Sequence, residues 1–181
     1  FIGNGVYYCA VCDGPFFKVQ DVVLVGDGNS AMQYALMLAD YCNKVTLVTM
    51  FDKFFGEKSL ETQVKNNPKI EIIPNAVASE LIGETKLEVI KFKKTTGEEF
   101  EISTPALFVA IGQVPENEKF SNVVELDKSG YIIAGEDTTT KTKGVFVAGD
   151  TRTKSVSQVT TAVADGAIAA VNAVNYLNLG K

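Results

Sequence analysis

Asp21-Val-Val-Leu-Val-Gly-Asp-Gly-Asn-Ser-Ala31 begins as a short run of valine and leucine and ends in a turn that contains two glycines. A run of this kind that ends at glycine predicts a buried strand of a parallel sheet. Residues 31–42 are rich in helix formers, and residues 44–50 are a second apolar run. Strand, glycine turn, helix and strand within about 30 residues predict a βαβ unit, and with it an α/β fold.

The glycine turn has the spacing Gly26-x-Gly28-x-x-Ala31, which is typical of dinucleotide-binding folds. The first glycine permits the tight turn, the second lets the backbone approach a pyrophosphate, and Ala31 allows the helix to pack closely on the strand. The first N–H groups of the helix would point at the anion. The candidate cofactor-binding residues of this turn are Gly26, Gly28, Asn29, Ser30 and Ala31.

The stretch after the second strand, Thr49-Met-Phe-Asp-Lys-Phe-Phe55, should show which nucleotide the turn binds. An acid at this strand end holds the ribose hydroxyls of NAD, whereas arginine accommodates the 2′-phosphate of NADP. The strand end has neither, and Asp52 and Lys53 come slightly late and fit solvated loop charges. We therefore expect tight binding of neither NADPH nor NADH.

Alternating runs at residues 69–74, 77–82 and 86–93 predict the strands of a β-meander inserted in this unit. Residues 105–112 predict a buried strand that ends at glycine, and residues 113–117 predict a linker. The fold prediction is therefore a Rossmann-like, three-layer α/β domain over residues 1–112, followed by a second unit.

The second unit, residues 113–181, contains two short apolar runs and one long helical pattern. Residues 130–134 and 144–150 predict strands, and the alanine- and valine-rich residues 158–177 predict a helix. Gly149-Asp150 would place a carboxylate at the carboxyl edge of a sheet, where ligands of open α/β folds bind. The alternative interpretation is a simple turn at a strand end.

Cys9-Ala-Val-Cys12 is followed at once by Asp13, in a chain with three cysteines and no histidine. Two thiols at this spacing can close a small disulfide ring, and an adjacent carboxyl can supply or take the proton of each thiol–disulfide step. Without histidine, acid–base catalysis falls to other side chains, which favours Asp13. A zinc site would need at least one carboxylate ligand, so we expect redox work and no metal, with inert thiols as a further alternative. Cys42 is expected to fill core space.

The net charge of −5 argues against nucleic acid and against anionic membrane surfaces as partners. No apolar run approaches the roughly 20 residues of a membrane-spanning helix. The start has neither a basic region nor a long apolar stretch, so no secretory signal is expected and a cytoplasmic location is predicted. The chain does not begin with methionine, and we expect it to be an internal segment of a longer protein.

Four motifs, in the same order, resemble those of the low-molecular-weight thioredoxin reductases, and the resemblance covers nearly all of the chain. They are the redox segment at residues 1–14, the glycine turn at 26–31, the hinge at 108–115 and a flavin-binding segment at 144–161. The resemblance implies a homodimeric flavoenzyme that binds FAD and passes electrons through the cysteine pair to thioredoxin or a similar small disulfide protein. Residues 113–181 would then be the C-terminal part of an FAD-binding Rossmann-like domain, and residues 1–112 a nicotinamide-nucleotide-type domain.

The family also implies a role for individual positions. Cys12 would face the flavin, Cys9 would attack the disulfide of the partner protein, and Asp13 would donate the proton. Asp150 would hydrogen-bond the ribityl chain of the flavin. The residues implied to hold FAD are Gly149, Asp150, Gln158, Val159 and Thr160.

The chain departs from the family at two places. The family's His-Arg-Arg-x-x-x-Arg motif is absent from residues 49–55, and an arginine that often precedes the flavin-contacting glutamine is Ser157 here. A neutral site cannot pair with a 2′-phosphate. The chain is therefore similar to the ferredoxin-dependent flavin thioredoxin reductases, or to a subgroup with another donor. NADPH or NADH as the donor, and a non-catalytic nucleotide-binding module, are the alternatives.

The second departure is the family's N-terminal FAD-binding unit, which the sequence does not contain. The segment alone is therefore expected to bind FAD poorly, and the whole protein to bind it tightly.

Overall fold

The computed structural model describes residues 1–179, and the chain divides into two compact units between Gly112 and Gln113. The first unit alternates strands and helices and inserts three antiparallel strands before its last parallel strand. Its elements are β1 (Val6–Tyr7), α1 (Ala10–Asp13), β2 (Asp21–Val25), α2 (Asn29–Tyr41), β3 (Lys44–Val48), α3 (Lys58–Asn66), β4 (Ile70–Ile73), β5 (Ala76–Ile82), β6 (Val89–Lys94), β7 (Glu99–Ser103) and β8 (Leu107–Val109).

Five of these strands form one parallel sheet in the order β1-β8-β2-β3-β4. Leu107 of β8 pairs with Val6 of β1 on one side and with Val23 of β2 on the other. The carboxyl ends of β1, β2 and β8 therefore lie at the same edge of the sheet. The cysteine pair follows β1 and the glycine turn follows β2, so both begin at this edge.

Both faces of the sheet are covered, because successive side chains of a strand point to opposite faces. Val22 and Leu24 belong to the buried cluster that contains the inner face of α2. Val23, between them, belongs to a second cluster with Ile90 and Phe92 of β6. Helix, parallel sheet and antiparallel sheet are therefore stacked in three layers, which confirms the predicted α/β architecture.

The prediction that residues 69–74 belong to the β-meander is wrong. These residues form β4, which pairs in parallel with β3, and the meander consists of β5, β6 and β7. Helix α3, which the sequence analysis did not predict, returns the chain so that β4 can lie beside β3. A strand at the edge of the sheet keeps partly exposed side chains, and its alternating pattern therefore imitates that of a meander strand.

The second unit is built around helix α4 (Val159–Leu179), a short 3₁₀ helix at Glu118–Phe120 and a small buried cluster. The cluster contains Val124, Ile132 and Val147. Helix α4 matches the helix predicted over residues 158–177.

The strands predicted at residues 130–134 and 144–150 are not formed within the described part of the chain. Ile132 and Phe146 make only isolated bridges there. Gly144 and Gly149 both have left-handed backbone conformations, with φ of +80° and +86°. They leave only a short extended stretch between two turns, so a regular ladder cannot develop.

Candidate functional site

Cys9 and Cys12 form a disulfide just beyond the end of β1, with their Cα atoms 5.3 Å apart. Cys9 is the N-cap of α1, and its Sγ accepts a hydrogen bond from the Cys12 backbone N–H at 3.2 Å. Its carbonyl oxygen also accepts one from the Asp13 N–H at 3.0 Å. Because N–H groups at the start of a helical turn favour negative charge, this position favours a thiolate at Cys9 once the disulfide is reduced.

The disulfide lies on an open and partly apolar surface. Cys12 is exposed, and Cys9 and Asp13 are partly exposed. Val11 and Phe16, on either side of Cys12, are 53% and 76% exposed. Exposed apolar side chains of this kind are common at contacts with other proteins. The arrangement can therefore support disulfide exchange with a macromolecule.

The third cysteine has no part in this site. Cys42 is a free thiol, 1% exposed, within the cluster that packs α2 on the sheet. Burial raises the pKa of its thiol, with a smaller opposing effect from Lys69. The prediction that Cys42 fills core space is confirmed.

The glycine turn lines a cavity of about 600 Å³ at the carboxyl edge of the sheet. Gly26 has φ +148°, and a Cβ there would collide with the Ala110 carbonyl and lie 2.9 Å from the Ala31 Cβ. The turn thus has the close packing that the spacing predicts. Neither lysine nor arginine lines the cavity within residues 1–179. The lining residues are Val25, Gly26, Asp27, Gly28, Asn29, Ser30, Val48, Met50, Phe51, Ala76, Val77, Ala78, Ala110, Ile111 and Gly112.

The loop after β3 is tied to the glycine turn by hydrogen bonds. The Asp27 carboxylate accepts from the backbone N–H groups of Met50 and Phe51 at 3.3 and 3.2 Å. Asn29 Oδ1 accepts from the Glu57 N–H at 2.8 Å, and the Asp27 carbonyl accepts from the Phe55 N–H at 2.8 Å. Two side chains of the turn therefore bind this chain's own loop.

The same loop presents an aromatic pair and one lysine, Lys53. Phe51 and Phe55 pack edge to face, with ring centroids 5.2 Å apart, and the Lys53 Nζ lies 5.2 Å from the Phe55 ring. Asp52 and Lys53 are exposed. Within residues 1–179, no guanidinium lines the cavity to form paired hydrogen bonds with a phosphate.

In the second unit, the backbone on both sides of Asp150 is fixed. The Gly149 N–H donates to Asp165 Oδ2 at 2.9 Å, and the Thr151 hydroxyl donates to Asn117 Oδ1 at 2.6 Å. The Asn117 side chain also donates to the Thr151 carbonyl at 3.0 Å. The Asp150 carboxylate, in contrast, is half exposed.

The sequence analysis missed the buried charged groups behind Asp150. Arg152 Nε and Nη2 donate to the two oxygens of Asp165 at 2.8 and 2.7 Å, and Lys154 Nζ lies 2.9 Å from Asp165 Oδ2. All three side chains are at most 8% exposed. Two features could have revealed the cluster: Arg152 is the chain's only arginine, and Asp165 is the only charged residue of the long apolar helix.

Hydrogen bonds from Arg152 hold the pKa of the Asp165 carboxyl well below its usual value of 3.8, against the opposing effect of burial. The same contact raises the pKa of the Arg152 guanidinium. Asp165 is therefore ionised at all ordinary pH values, and its charge holds Gly149 in place.

The side chains at the start of α4 combine apolar and polar groups on an exposed surface. Gln158, Val159 and Thr160 are all exposed, and Val159 is 79% exposed although it is apolar. An exposed apolar side chain beside amide and hydroxyl groups suits a planar ring with polar edges. The half-exposed Asp150 carboxylate can accept hydrogen bonds from a polyhydroxyl chain. These residues fit the isoalloxazine and ribityl parts of FAD.

Comparison with known protein families decides the family. Residues 2–166 match the model of the pyridine nucleotide-disulphide oxidoreductase family. The chain belongs to this family. It is 41% identical to thioredoxin reductase of Peptoclostridium acidaminophilum over 182 aligned residues, which cover 97% of this chain and 58% of that protein. The resemblance to thioredoxin reductases, stated above from the motifs, is confirmed.

Solved structures give the same result. The chain is similar to thioredoxin reductase from Streptococcus pyogenes MGAS5005, with a TM-score of 0.87 and 35% identity over 97% of this chain and 58% of that one. It is also similar to a ferredoxin–flavin thioredoxin reductase from Clostridium acetobutylicum, with a TM-score of 0.50 and 29% identity over 99% of this chain and 57% of that one. The chain thus spans little more than half the length of these relatives.

Two kinds of feature were not found in the part of the chain that the structure describes. No helix there combines the length and apolar character needed to cross a membrane. Within the same residues, no group of three or more Cys, Asp or Glu side chains could hold a metal ion.

The buried ion pair of Arg152 and Asp165 should contribute to the stability of the protein. Asp165→Asn should lower the free energy of unfolding by about 3–5 kcal/mol, because it leaves Arg152 and Lys154 buried without their carboxylate. Chemical denaturation of the whole protein measures this. Glu125→Gln, which changes an exposed carboxylate of the same unit, should change the free energy by no more than about 0.5 kcal/mol.

The dependence of stability on pH gives a second measurement on Asp165→Asn. The folded pKa of Asp165 lies below its unfolded value near 3.8, so its stabilisation is complete above that pH and is lost as the pH falls through the folded pKa. The stability of the wild type should therefore fall more steeply below that pH than the stability of Asp165→Asn. Equal acid sensitivity of the two proteins would contradict the role given to the ion pair.

Proposed function

We propose that this chain is the catalytic segment of a flavin-dependent thioredoxin-disulfide reductase. The observation that supports this most directly is the Cys9–Cys12 disulfide, on an exposed surface at the carboxyl edge of a parallel sheet, with Asp13 next to it. FAD supplies the electron pair when it is bound. A non-catalytic module on the same scaffold would need neither the two thiols nor the neighbouring acid.

The chemistry of the chain's own residues begins with the disulfide. The S–S bond accepts one electron pair and breaks, which leaves sulfur anions on Cys9 and Cys12. One of them takes a proton, for which Asp13 is the nearest carboxyl in sequence. The Cys9 thiolate, favoured by the Cys12 N–H, attacks the disulfide of the partner protein and forms a mixed disulfide, and one partner thiolate leaves. The proton on Cys12 passes to the partner thiolate that has left, with Asp13 as the nearest carboxyl in sequence to carry it. The Cys12 thiolate then attacks Cys9 Sγ, which restores the internal disulfide and releases the second partner thiolate.

The proposed substrate is a protein such as thioredoxin. A small molecule would not need the apolar surface that Val11 and Phe16 expose beside the disulfide. The relatives from Peptoclostridium acidaminophilum and Streptococcus pyogenes carry the name thioredoxin reductase. Contact with an apolar patch would hold the partner while its disulfide meets Cys9.

FAD is proposed to lie against Gln158, Val159 and Thr160, with its ribityl chain at Asp150. We further propose that residues 1–112 and 113–181 are the nicotinamide-nucleotide-type and FAD-binding portions of the enzyme. A homodimer in the cytoplasm completes the proposal, as expected from the family resemblance.

The proposed electron donor is ferredoxin. Among the described residues, no lysine or arginine lines the cavity at the glycine turn, and Asp27 and Asn29 are hydrogen-bonded to the loop that follows β3. One similar structure is that of a ferredoxin–flavin thioredoxin reductase. Direct reduction by NADPH or NADH is the alternative.

The roles of the two cysteines are tested by trapping. In the whole protein, reduced Cys12→Ser should accumulate a mixed disulfide with thioredoxin, because the thiol that resolves it is missing. Cys9→Ser should not, since Cys12 is proposed to resolve rather than attack. Mass spectrometry of non-reduced samples measures both variants, with Cys42→Ser as the control. If the mixed disulfide accumulated in Cys9→Ser but not in Cys12→Ser, Cys12 would be the attacking cysteine and Cys9 the resolving one.

The donor is tested by anaerobic titration of the flavin-loaded whole protein. Reduced ferredoxin should bleach the flavin absorbance in stopped-flow mixing, whereas NADPH and NADH at the same concentration should not. The physical reason is the lining of the cavity, whose described residues include the carboxylate of Asp27 and neither lysine nor arginine. Rapid bleaching by NADPH would overturn the ferredoxin proposal and leave the disulfide chemistry intact.

A further inference from the structure

Lys154 is a buried cation that takes no part in the proposed disulfide chemistry. Its side chain is 7% exposed, and its Nζ lies 2.9 Å from Asp165 Oδ2 and 3.8 Å from Asp150 Oδ1. It also donates to the Thr161 hydroxyl at 3.4 Å. Burying an ammonium group is costly unless its charge is compensated, so this placement calls for a physical reason.

Asp165 pairs with both buried cations, but its single charge balances only one of them. Arg152 already binds both oxygens of Asp165, so the carboxylate is neutralised without Lys154. The three buried groups, Arg152, Lys154 and Asp165, therefore carry one surplus positive charge. Three further carboxylates nearby, those of Asp150, Glu136 and Asp137, belong to exposed residues, and ion pairs with exposed groups are weak because water surrounds them.

The surplus charge lies between the two segments proposed to hold the flavin. On one side, Lys154 approaches Asp150. On the other, Thr161 Oγ1 connects Lys154 to the start of α4, because it donates to the Gln158 carbonyl at 2.9 Å and accepts from the Gln158 N–H at 3.1 Å. The start of α4 is itself the positive end of a helix dipole. The ammonium group of Lys154 and the positive end of the α4 dipole repel each other. An anion bound beside them would relieve that repulsion.

We propose that Lys154 raises the reduction potential of the bound flavin. This inference rests on the proposed function. Reduction of oxidised flavin by two electrons and one proton adds one negative charge, and the surplus positive charge favours the reduced form that carries it. Lys154 touches neither substrate nor sulfur in this account, so it is a positioning residue that acts through its charge and through Asp150.

The test is the midpoint potential of flavin in the whole protein, measured by equilibration with redox dyes. Lys154→Met should lower the ratio of reduced to oxidised flavin at a fixed potential about tenfold, which corresponds to a decrease of about 30 mV for a two-electron couple. The midpoint potential of Lys154→Arg, which keeps the charge, should stay close to that of the wild type. Lys141→Met, which removes an exposed lysine of the same unit, is the matched control.

Folding should survive the change, because Arg152 still compensates Asp165 in Lys154→Met. If that variant nevertheless fails to fold, Lys154→Gln keeps a hydrogen-bond donor at the same place and should show the same decrease. Flavin-loaded variants with an unchanged potential would overturn this inference and leave the proposed function standing. A wild-type protein that binds no flavin would overturn both.

Discussion

The parallel pairing of β1 with β8 determines where the redox chemistry of this chain can take place. β1 has only two residues, yet it joins Val6 and Tyr7 to Leu107 and Phe108 at the far end of the unit. The Tyr7 ring packs 5.2 Å from Phe17 and 5.6 Å from Phe108, which fixes the segment on both sides of the disulfide. Without this pairing, no strand would attach the segment before Cys9 to the sheet. With it, the two cysteines begin at the same sheet edge as the glycine turn.

The two functional features of that edge have opposite chemical characters. The disulfide is open, partly apolar and next to a carboxyl group. The glycine turn has the close packing of a dinucleotide site, but the Asp27 and Asn29 side chains are hydrogen-bonded to the chain's own loop, and Phe51 and Phe55 of that loop pack on each other. Gly26 is required for packing against Ala31 and Ala110 whether or not a nucleotide binds.

Local patterns predicted those parts of the molecule that depend on local interactions. The strand, turn and helix around Gly26, the disulfide and the buried Cys42 all follow from residues that are neighbours in sequence. β4 was assigned to the wrong sheet, because whether an alternating run pairs beside β3 or beside β6 depends on the crossover made by α3. The contact between Arg152 and Asp165 joins residues 13 positions apart, and the periodicity of the sequence does not indicate such a contact. The extended segment around Phe146 did not become a strand because the left-handed Gly144 and Gly149 limit its length, and Ile132 makes only isolated bridges.

The central claim is that electrons pass between a bound flavin and the Cys9–Cys12 disulfide. The most direct test is a stoichiometric reductive titration of the whole protein under anaerobic conditions, followed by flavin absorbance and by counting free thiols. Flavin and disulfide each take up one electron pair. The account predicts two pairs per flavin for the wild type and one pair for the Cys9→Ser/Cys12→Ser double variant. Uptake of a single pair by the wild type, with the disulfide left intact beside fully reduced flavin, would contradict it.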